Sequence, residues 1–416
     1  MMTDTIISQQ LTVNVPADYP DIQSALDAFE GKMITGGVNI QVADGEYQIT
    51  APLVSRIRDY DKLTLRGNEQ DCSKCVLYID NSANKDGFLF ENGFGISWLN
   101  GFTLAGVNGW TASGVWNDQC YGAGIRATGG GTVILGPALS ITKMYYGLRA
   151  MNGAFISNET VPESGQPGGG IKVSNAGDVA FHAYAATLKV NCAEAWYASH
   201  SSESLGFGFC AEAGGFLQCE YAISSGNERA GFYALTNGTV WAHGTTAQNN
   251  LYGVLAWGGV IECNSLGEYT SSFSLNSEAG IYATYNGFVG ANTAWCSQNT
   301  HGVMSDNGGL VDITYLRSEN NTGNGFYARQ RGTMSGGYSS AQNNQNNGYH
   351  CEYGSCMAVS HAAANGNTNH GFYARKNSGI YCDGFGGTGN GYFCSPVQMS
   401  ISGSTGNSEA YIDDTL

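Results

Sequence analysis

The stretch GFYARQRGTMSGGYSSAQNNQNN (325–347) is one complete unit of the repeat that decides the fold. It opens with Gly325, an apolar residue, a variable residue and Ala328, which is the alternation of a short β-strand. A second Gly then opens a second strand, as in Gly238-Thr-Val-Trp-Ala-His, and an Asn-rich turn closes the unit. We therefore interpret each unit as a set of short strands joined by tight turns.

The opening phrase recurs along most of the chain, and the steps from Gly325 to Gly348 and from Gly348 to Gly371 are both 23 residues. A fixed period of this length is typical of a solenoid. Period-two alternation excludes helical repeats, the Leu/Asn signature of leucine-rich repeats is missing, and a propeller blade needs about 40 residues. The sequence predicts an all-β fold, a single-stranded right-handed parallel β-helix running from roughly Gly124 to the C-terminus. The phrase begins at Gly124, Gly147, Gly170, Gly208, Gly231, Gly253, Gly280, Gly302, Gly325, Gly348, Gly371 and Gly391.

The first segment has a different pattern. VNVPADYPDIQSALDAF (13–29) has Asp18 or Pro20 as a start signal and then apolar residues at the spacing of a short amphipathic helix. VNIQVADGEYQI (38–49) is either a hairpin-like turn or the first rung. A solenoid must cover the open end of its core, so we expect the helix to act as a cap. The predicted domains are 1–50 for the N-terminal segment and cap, 51–394 for the β-helix, and 395–416 for a C-terminal cap or tail.

The composition narrows the classes of function. The chain has 416 residues with 60 Gly and only 12% charged residues, and its net charge is −16. This acidity disfavours nucleic acid and anionic membranes as partners. The start shows no signal peptide, and no segment has the length of a membrane span. Most of the 12 Cys occupy repeat positions that hold Ala or Val elsewhere. This pattern indicates reduced Cys in the core of a protein that is made in a reducing cytoplasm. The lone Cys72-x-x-Cys75 is a poor zinc motif, so no metal and no cofactor are predicted.

VPADYPDIQSALDA (15–28), followed by DGEY (44–47) and the Gly/Asn-rich rungs, resembles the pectate-lyase-like right-handed parallel β-helix proteins. Within that superfamily the chain is most similar to phage tailspikes and surface-polysaccharide depolymerases. The resemblance implies a homotrimer on a virion tail, made in the host cytoplasm, that contacts phage tail or baseplate proteins. It also implies binding and cleavage of bacterial capsule, O-antigen or exopolysaccharide. Many tailspikes carry a further trimerisation domain, whereas this sequence ends at Leu416 soon after its last rung.

Residues one repeat apart stack at about 4.8 Å in a β-helix, so columns of side chains follow from the alignment. The outward column two residues after the first Gly is basic at its start and mostly aromatic later. The basic members support β-elimination on a uronate, which needs a cation at the carboxylate and a base at C5 that Arg, Lys, His or Tyr can supply; Tyr145 and Tyr146 are near in sequence. Alternatively, they line a surface or pair with acids. The aromatic members are interpreted as a sugar-binding ladder or as a subunit interface. The column holds Arg126, Arg149, Lys172, Tyr233, Leu255, Tyr282, Met304, Tyr327, His350 and Tyr373.

The second strand gives two neighbouring outward columns, one with His182, Glu220 and His243 and the other with Gln218, Trp241 and Glu262. Glu220 and Glu262 are predicted as catalytic carboxyls two rungs apart, roughly 10 Å, which suits an inverting glycosidase. Trp241 and Gln218 would bind sugar, and His182 or His243 would tune a carboxyl or bind hydroxyls. The alternative is an ordinary solvated sheet face. Glu159 in an inserted loop is a further catalytic candidate, and the weaker ones are Glu163, Asp178 and Glu203.

The leading hypothesis is a tailspike-type receptor-binding protein that hydrolyses a bacterial surface polysaccharide. The second is a polysaccharide lyase that acts on a uronate-containing glycan. The third is a non-catalytic adhesin or structural fibre, because fold alone does not select among these functions.

Overall fold

The structure is a computed structural model that describes residues 6–111, 116–117, 119–158, 168–199, 205–395 and 399–402. The chain divides into two compact units, Met1–Cys219 and Glu220–Leu416. In each unit the chain passes in turn through a first, a second and a third sheet, and every strand in these sheets pairs in parallel with the strand one rung away. This arrangement is a parallel β-helix, right-handed as crossovers between parallel strands are, and it confirms the predicted fold class.

Unit 1 begins with a small parallel pair, Ile6–Ile7 and Met33–Ile34. The strands of its first sheet are Leu11–Val15, Val38–Val42, Leu63–Arg66, Gly95–Asn100, Thr132–Leu135, Phe155–Asn158, Thr187–Lys189 and Phe216–Gln218. Those of its second sheet are Gly45–Ile49, Cys75–Ile79, Phe102–Gly106, Leu139–Thr142, Lys172–Ser174 and Glu194–Trp196. Those of its third sheet are Leu53–Val54, Phe88–Phe90, Ala123–Ala127, Tyr146–Met151, Val179–Tyr184 and Phe207–Glu212.

Unit 2 repeats the same three-sheet order. The strands of its first sheet are Thr239–Trp241, Val260–Glu262, Phe288–Gly290, Leu310–Asp312, Thr333–Gly337, Cys356–Ser360, Gly379–Asp383 and Met399–Ser402. Those of its second sheet are Ile223–Ser225, Thr246–Gln248, Ser272–Ser274, Trp295–Ser297, Arg317–Glu319, Ser340–Gln342 and Ala363–Asn365. Those of its third sheet are Ala230–Leu235, Tyr252–Trp257, Ala279–Thr284, His301–Ser305, Phe326–Ala328, Tyr349–Cys351, His370–Ala374 and Tyr392–Ser395.

The predicted helix is present but shorter than the pattern indicated. It covers Ile22–Asp27, and Asp21, not Asp18 or Pro20, caps it by accepting a hydrogen bond from the Ser24 N–H. Its apolar face is buried, and the Gln23 side chain bonds the backbone of Val54 at the start of the third sheet. Residues 38–49 form a rung and not a hairpin, because their two strands belong to different sheets. Three 3₁₀ turns follow, Tyr60–Lys62, Cys72–Lys74 and Ser82–Asn84.

The Asn-rich turns stack into a hydrogen-bonded ladder in unit 2. Each buried Asn uses its side-chain oxygen to accept both the backbone and the amide N–H of the Asn one rung before it, as Asn344 does from Asn321. The neighbouring Asn320 and Asn343 adopt left-handed φ angles of 56° and 52°. The Asn residues of these turns therefore supply both the hydrogen bonds between rungs and the left-handed turn positions. The ladder comprises Asn227, Asn250, Asn276, Asn299, Asn321, Asn344, Asn367 and Asn390.

The outward column of the third sheet in unit 2 is aligned as predicted. Tyr327 pairs with His350, and His350 pairs with Tyr373. The inward positions between them stack Phe326, Tyr349 and Phe372 face to face in the core. No helix in the described part of the chain is long and apolar enough to cross a membrane.

Candidate active site

The third sheet of unit 1 brings together the titratable groups of the candidate site. Its outward column runs Arg126, Arg149, His182 and Cys210, each paired in register with the next. Glu212 lies two residues beyond Cys210 on the same strand and therefore points outward as well. A cation, an imidazole and a carboxylate thus occupy three consecutive rungs.

Two column assignments made from the sequence are wrong. Lys172 is in the second sheet, where it pairs with Ser140 and forms an ion pair with Glu194 at 3.4 Å. His182 is in the third sheet, next to Arg149, and not in the column of the second strand. The cause is local: the repeated phrase in this rung begins with Ala180 instead of Gly, so the Gly-based alignment took Gly170 in its place.

The two predicted carboxyl groups differ in their position on the rung. In unit 2, Glu262 pairs with Trp241, whereas the residue after Glu220 donates its backbone N–H to the carbonyl of His243 in a turn. The strand ends at Trp241, so Glu220 and His243 lie beyond it. The Glu262 carboxylate lies against Gly290 and accepts a hydrogen bond from Asn264 at 3.2 Å. The catalytic roles of these residues stay predictions.

The remaining candidates fall elsewhere. Gln218 pairs with Lys189 in the first sheet of unit 1 and is not part of the third-sheet group. Glu159, Glu163 and Glu203 lie outside the described residues.

Arg149 is a cation without a counterion within the described chain. Its guanidinium lies 3.9 Å from the centroid of the Tyr146 ring, and its buried Nε has no hydrogen-bond partner. In contrast, Arg126 one rung away forms an ion pair with the buried Asp86 at 2.9 Å. No carboxylate of the described residues contacts this half-buried guanidinium, although Asp86, Asp178 and Glu212 lie near enough to interact with its charge, so its N–H donors are available to bind an anion.

His182 is held by Glu212. Its Nε2 lies 3.3 Å from a Glu212 oxygen, its ring is stacked on Tyr146 at 5.4 Å, and its Nδ1 has no partner. Burial lowers the pKa of His182, so the ring is neutral at pH 7, although Glu212 opposes this effect. The hydrogen bond from His182 lowers the pKa of Glu212. An ionised Glu212 therefore fixes the tautomer with the proton on Nε2 and leaves the Nδ1 lone pair free to accept a proton.

Asp178 is a second carboxyl group, and its pKa is shifted upward whereas that of Glu212 is shifted downward. It is 7% exposed, and burial raises its pKa to about 7, against weaker stabilisation of the carboxylate by the Gly206 N–H and by Arg149. It directly precedes Val179, the register partner of Tyr146. Burial also raises the pKa of Tyr146, to about 12. At neutral pH the site therefore holds a protonated hydroxyl and a carboxyl close to half protonation.

An aromatic cluster flanks these groups. Trp116 is buried and contacts Trp110 and Tyr145, and Tyr145 packs edge-on against Tyr146. Trp110 is anchored by a hydrogen bond from its indole N–H to the carbonyl of Asn175. This packing limits the movement of Tyr146, which supports both Arg149 and His182.

His182, Cys210 and Glu212 could converge on a metal ion, because their ligand atoms lie within 4.8 Å of one another. Three observations oppose this. A metal would have to break the bond between His182 and Glu212, and burial raises the pKa of the Cys210 thiol well above its ordinary value. The uncompensated Arg149 in the adjacent position adds electrostatic repulsion.

The sequence predicted roles for Arg149, His182 and Asp178 and placed Tyr146 near Arg149, but it did not bring these residues together in one site. The signal that could have done so is the phrase Ala180-Phe-His-Ala, which repeats Gly147-Leu-Arg-Ala with Ala in place of Gly.

No protein-family model matches the chain, and no curated protein matches it. Solved structures do. The A-module of the mannuronan C-5 epimerase AlgE6 from Azotobacter vinelandii is 13% identical with a TM-score of 0.40, covering 93% of this chain and 94% of that one. The catalytic domain of a GH87 α-1,3-glucanase in complex with nigerose is 12% identical with a TM-score of 0.39, covering 98% and 69%. The periplasmic alginate epimerase AlgG is 11% identical with a TM-score of 0.30, covering 97% and 83%. Because these TM-scores are below 0.5, the similarity does not indicate which activity this chain has.

Proposed function

We propose that the protein is a polysaccharide-active enzyme that cleaves a uronate-containing glycan by β-elimination at the third sheet of unit 1. The observation that carries the proposal is Arg149, a half-buried guanidinium with no ion pair in the described structure, beside the neutral His182. A uronate carboxylate supplies the missing anion. Its binding would place the sugar's C5 hydrogen on the side of the sheet where His182 accepts a proton.

The step balances with these groups alone. His182 Nδ1 takes the C5 proton, the electrons of the C5–H bond form a C4=C5 double bond, and the C4–O bond breaks. The leaving oxygen receives a proton from Asp178, whose pKa of about 7 suits a general acid at neutral pH. Arg149 stabilises the negative charge that develops on the carboxylate as the proton leaves. Glu212 holds the imidazole in place and stabilises its protonated form, as an acidic orienting group does.

Access to the base requires a side chain to move. His182 is 3% exposed, and the ring of Tyr184 lies edge-on to it at 6.2 Å. Arg149 and Glu212 are the more open members of the site. The substrate carboxylate would therefore meet Arg149 first, and the movement of a side chain packed on His182 would then open Nδ1.

The test measures products and variants together. Uronate polysaccharides such as polygalacturonate, alginate and uronate-containing bacterial capsules are incubated with the protein, and unsaturated ultraviolet-absorbing ends are quantified. Arg149→Gln and His182→Gln should each lower turnover by about 100-fold or more. Lys172→Gln is the matched control, since it removes a cation of the same unit that lies outside the site. Equal turnover in Arg149→Gln and Lys172→Gln would refute the proposal.

A hydrolase is the second candidate, and one observation favours it. Asp178 and Glu212 have pKa values displaced in opposite directions, upward and downward, which is how a general acid and a base or nucleophile are distinguished in glycosidases. Reducing ends without a double bond would identify this reaction. Asp178→Asn and Glu212→Gln would then each abolish activity, while Arg149→Gln would impair only the use of acidic sugars.

The biological setting is also a proposal: a trimeric tailspike that is carried on a virion and acts on bacterial surface polysaccharide. The repeat grammar supports it, and so do buried free thiols such as Cys263 and Cys296, which fit assembly in a reducing host cytoplasm. Sedimentation of the purified protein tests the trimer, and electron microscopy with gold-labelled antibody on phage particles tests the location. If the protein is a monomer and is not found on phage particles, only the enzymatic proposal remains.

A further inference from the structure

The turns that follow the third-sheet strands of unit 2 form a cleft of about 620 Å³. Tyr285 and Tyr353 line its two ends, at 51% and 48% exposure. Between them lie Asn307 and Gln330, one from each intervening rung. The tyrosines are three rungs apart, which at about 4.8 Å per rung is about 14 Å. An aromatic residue thus stands at each end of a floor of amide groups.

Each tyrosine has one covered face and one face turned into the cleft. Trp257, from the preceding rung, stacks on Tyr285 with ring centroids 4.5 Å apart and planes 15° apart. The Lys376 ammonium, from the following rung, lies 3.8 Å from the centroid of Tyr353 and contacts its hydroxyl. Both backing groups lie outside the cleft, so the opposite faces look towards Asn307 and Gln330. Aromatic faces that are fixed from behind are suited to stacking on pyranose rings.

The backbone at these positions is left-handed, with φ of 49° at Tyr285, 45° at Asn307, 50° at Gln330 and 56° at Tyr353. Asn is the side chain that this conformation tolerates best, and Asn307 shows that the turn accepts it. Tyrosine is the more costly choice, by roughly 1 kcal/mol or more. Tyr315 and Tyr338 have the same conformation, so Tyr285 and Tyr353 are distinguished by their open ring faces and not by the backbone.

The cleft also carries positive charge on an acidic protein. Arg331 lines it, is exposed, and has no ion pair or side-chain hydrogen bond among the residues that the structure describes. Lys376 adds a second cation at the Tyr353 end. The whole chain has a net charge of −16, whereas these two cations give the cleft and its Tyr353 end a local positive charge that would attract an anionic ligand.

We propose that the cleft between Tyr285 and Tyr353 is a non-catalytic binding site for an acidic oligosaccharide. The tyrosine faces stack on sugar rings, Asn307 and Gln330 hydrogen-bond hydroxyl groups, and Arg331 pairs with a carboxylate. The choice of ligand rests on the proposed function, because the site would hold the same class of polymer that the third sheet of unit 1 cleaves. A second attachment point raises the local concentration of a long polymer and keeps it bound between cleavage events.

The test measures binding in a protein whose candidate active site is disabled. Short oligosaccharides of galacturonate, mannuronate, guluronate and glucuronate are titrated calorimetrically into the Arg149→Gln variant. At least one should bind, and adding Tyr353→Ala or Tyr285→Ala should weaken its affinity about fivefold to tenfold. Adding Arg331→Gln should weaken binding at low salt and reduce its salt dependence, since an ion pair is lost.

Tyr338→Ala is the matched control. Tyr338 is 52% exposed and also left-handed, but both of its faces are covered, by Tyr315 at 5.0 Å and His361 at 4.7 Å. Its removal should leave the affinity unchanged. Equal affinities in the Tyr353→Ala and Tyr338→Ala proteins, or no binding of any uronate oligosaccharide to the Arg149→Gln variant, would overturn the inference. Turnover of uronate polymers by the unaltered protein reports separately on the proposed function: turnover without cleft binding rejects only the cleft, and cleft binding without turnover rejects only the enzyme.

Discussion

Replacing Asp178 with Asn should make the protein more stable at alkaline pH while it abolishes activity. Asp178 is buried, and one of its carboxyl oxygens, Oδ1, has no hydrogen-bond partner. The folded state therefore disfavours the ionised form. An Asn side chain is close in shape to the protonated acid and stays neutral at every pH. Since the proposed reaction needs the proton of Asp178, the gain in stability comes from removing a group that the chemistry uses.

The magnitude follows from the displaced pKa. Burial raises the pKa of Asp178 from 3.8 to about 7, and each unit corresponds to about 1.4 kcal/mol. Above pH 7 the ionised Asp178 therefore costs about 4 kcal/mol of folding free energy, and below about pH 3 it costs almost nothing because both states are protonated. Between these limits the unfolded state ionises first, so stability falls as the pH rises. The advantage of Asp178→Asn should grow from near zero at about pH 3 to about 4 kcal/mol at about pH 8.

Urea unfolding of both proteins at a series of pH values measures this difference. Asp61→Asn is the control, because Asp61 is in unit 1 with a side chain that is 65% exposed, and its difference from the wild type should stay within about 0.5 kcal/mol at every pH. A pH-independent difference for Asp178→Asn, or a loss of stability at pH 8, would refute the assignment of Asp178 as a buried acid with a raised pKa.

Two further substitutions test the scaffold. Asn344→Ala should lower the free energy of unfolding by about 3 kcal/mol, because the buried backbone N–H of Asn321 and part of its amide lose their acceptor. Gln345→Ala next to it, exposed, should change stability by less than about 0.5 kcal/mol, and similar urea midpoints for the two would argue against the ladder. Gly147→Ala would place a methyl group 2.4 Å from the carbonyl oxygen of Ala180, so we expect a loss of at least about 2 kcal/mol and lower turnover; a normal thermal melting temperature would contradict the close approach.

The sequence was sufficient for the fold because the repeat is enforced by the core. Inward positions such as Phe326, Tyr349 and Phe372 must stack on one another, and the turn Asn residues must bond the next Asn, so both leave a period in the sequence. The helix start was predicted less well, since Asp18, Pro20 and Asp21 all carry start signals. Only Asp21 has its side chain placed to accept from the backbone N–H of Ser24.

The site was only partly predictable, for the opposite reason. Outward residues are not constrained by core packing, so Arg149 and His182 share no residue type that an alignment would detect. Their common position is marked by the inward neighbours Leu148 and Phe181, which pair in register. An alignment anchored on these apolar positions and not on Gly would have placed His182 correctly. The displaced pKa values of His182 and Asp178 depend on burial in the folded protein, and a sequence alignment does not show burial.

The same contrast explains how a regular scaffold can hold a precise site. Beneath His182 and Cys210, the rings of Phe181 and Phe209 stack at 4.6 Å with planes 5° apart. Each outward side chain is therefore fixed in height by the strand spacing and in direction by a rigid inward partner. Adjacent outward groups lie at a separation that suits a hydrogen bond, as between His182 and Glu212. A parallel β-helix thus supplies preorganisation through its core, and substitutions on its outer column change the chemistry without altering the geometry that supports it.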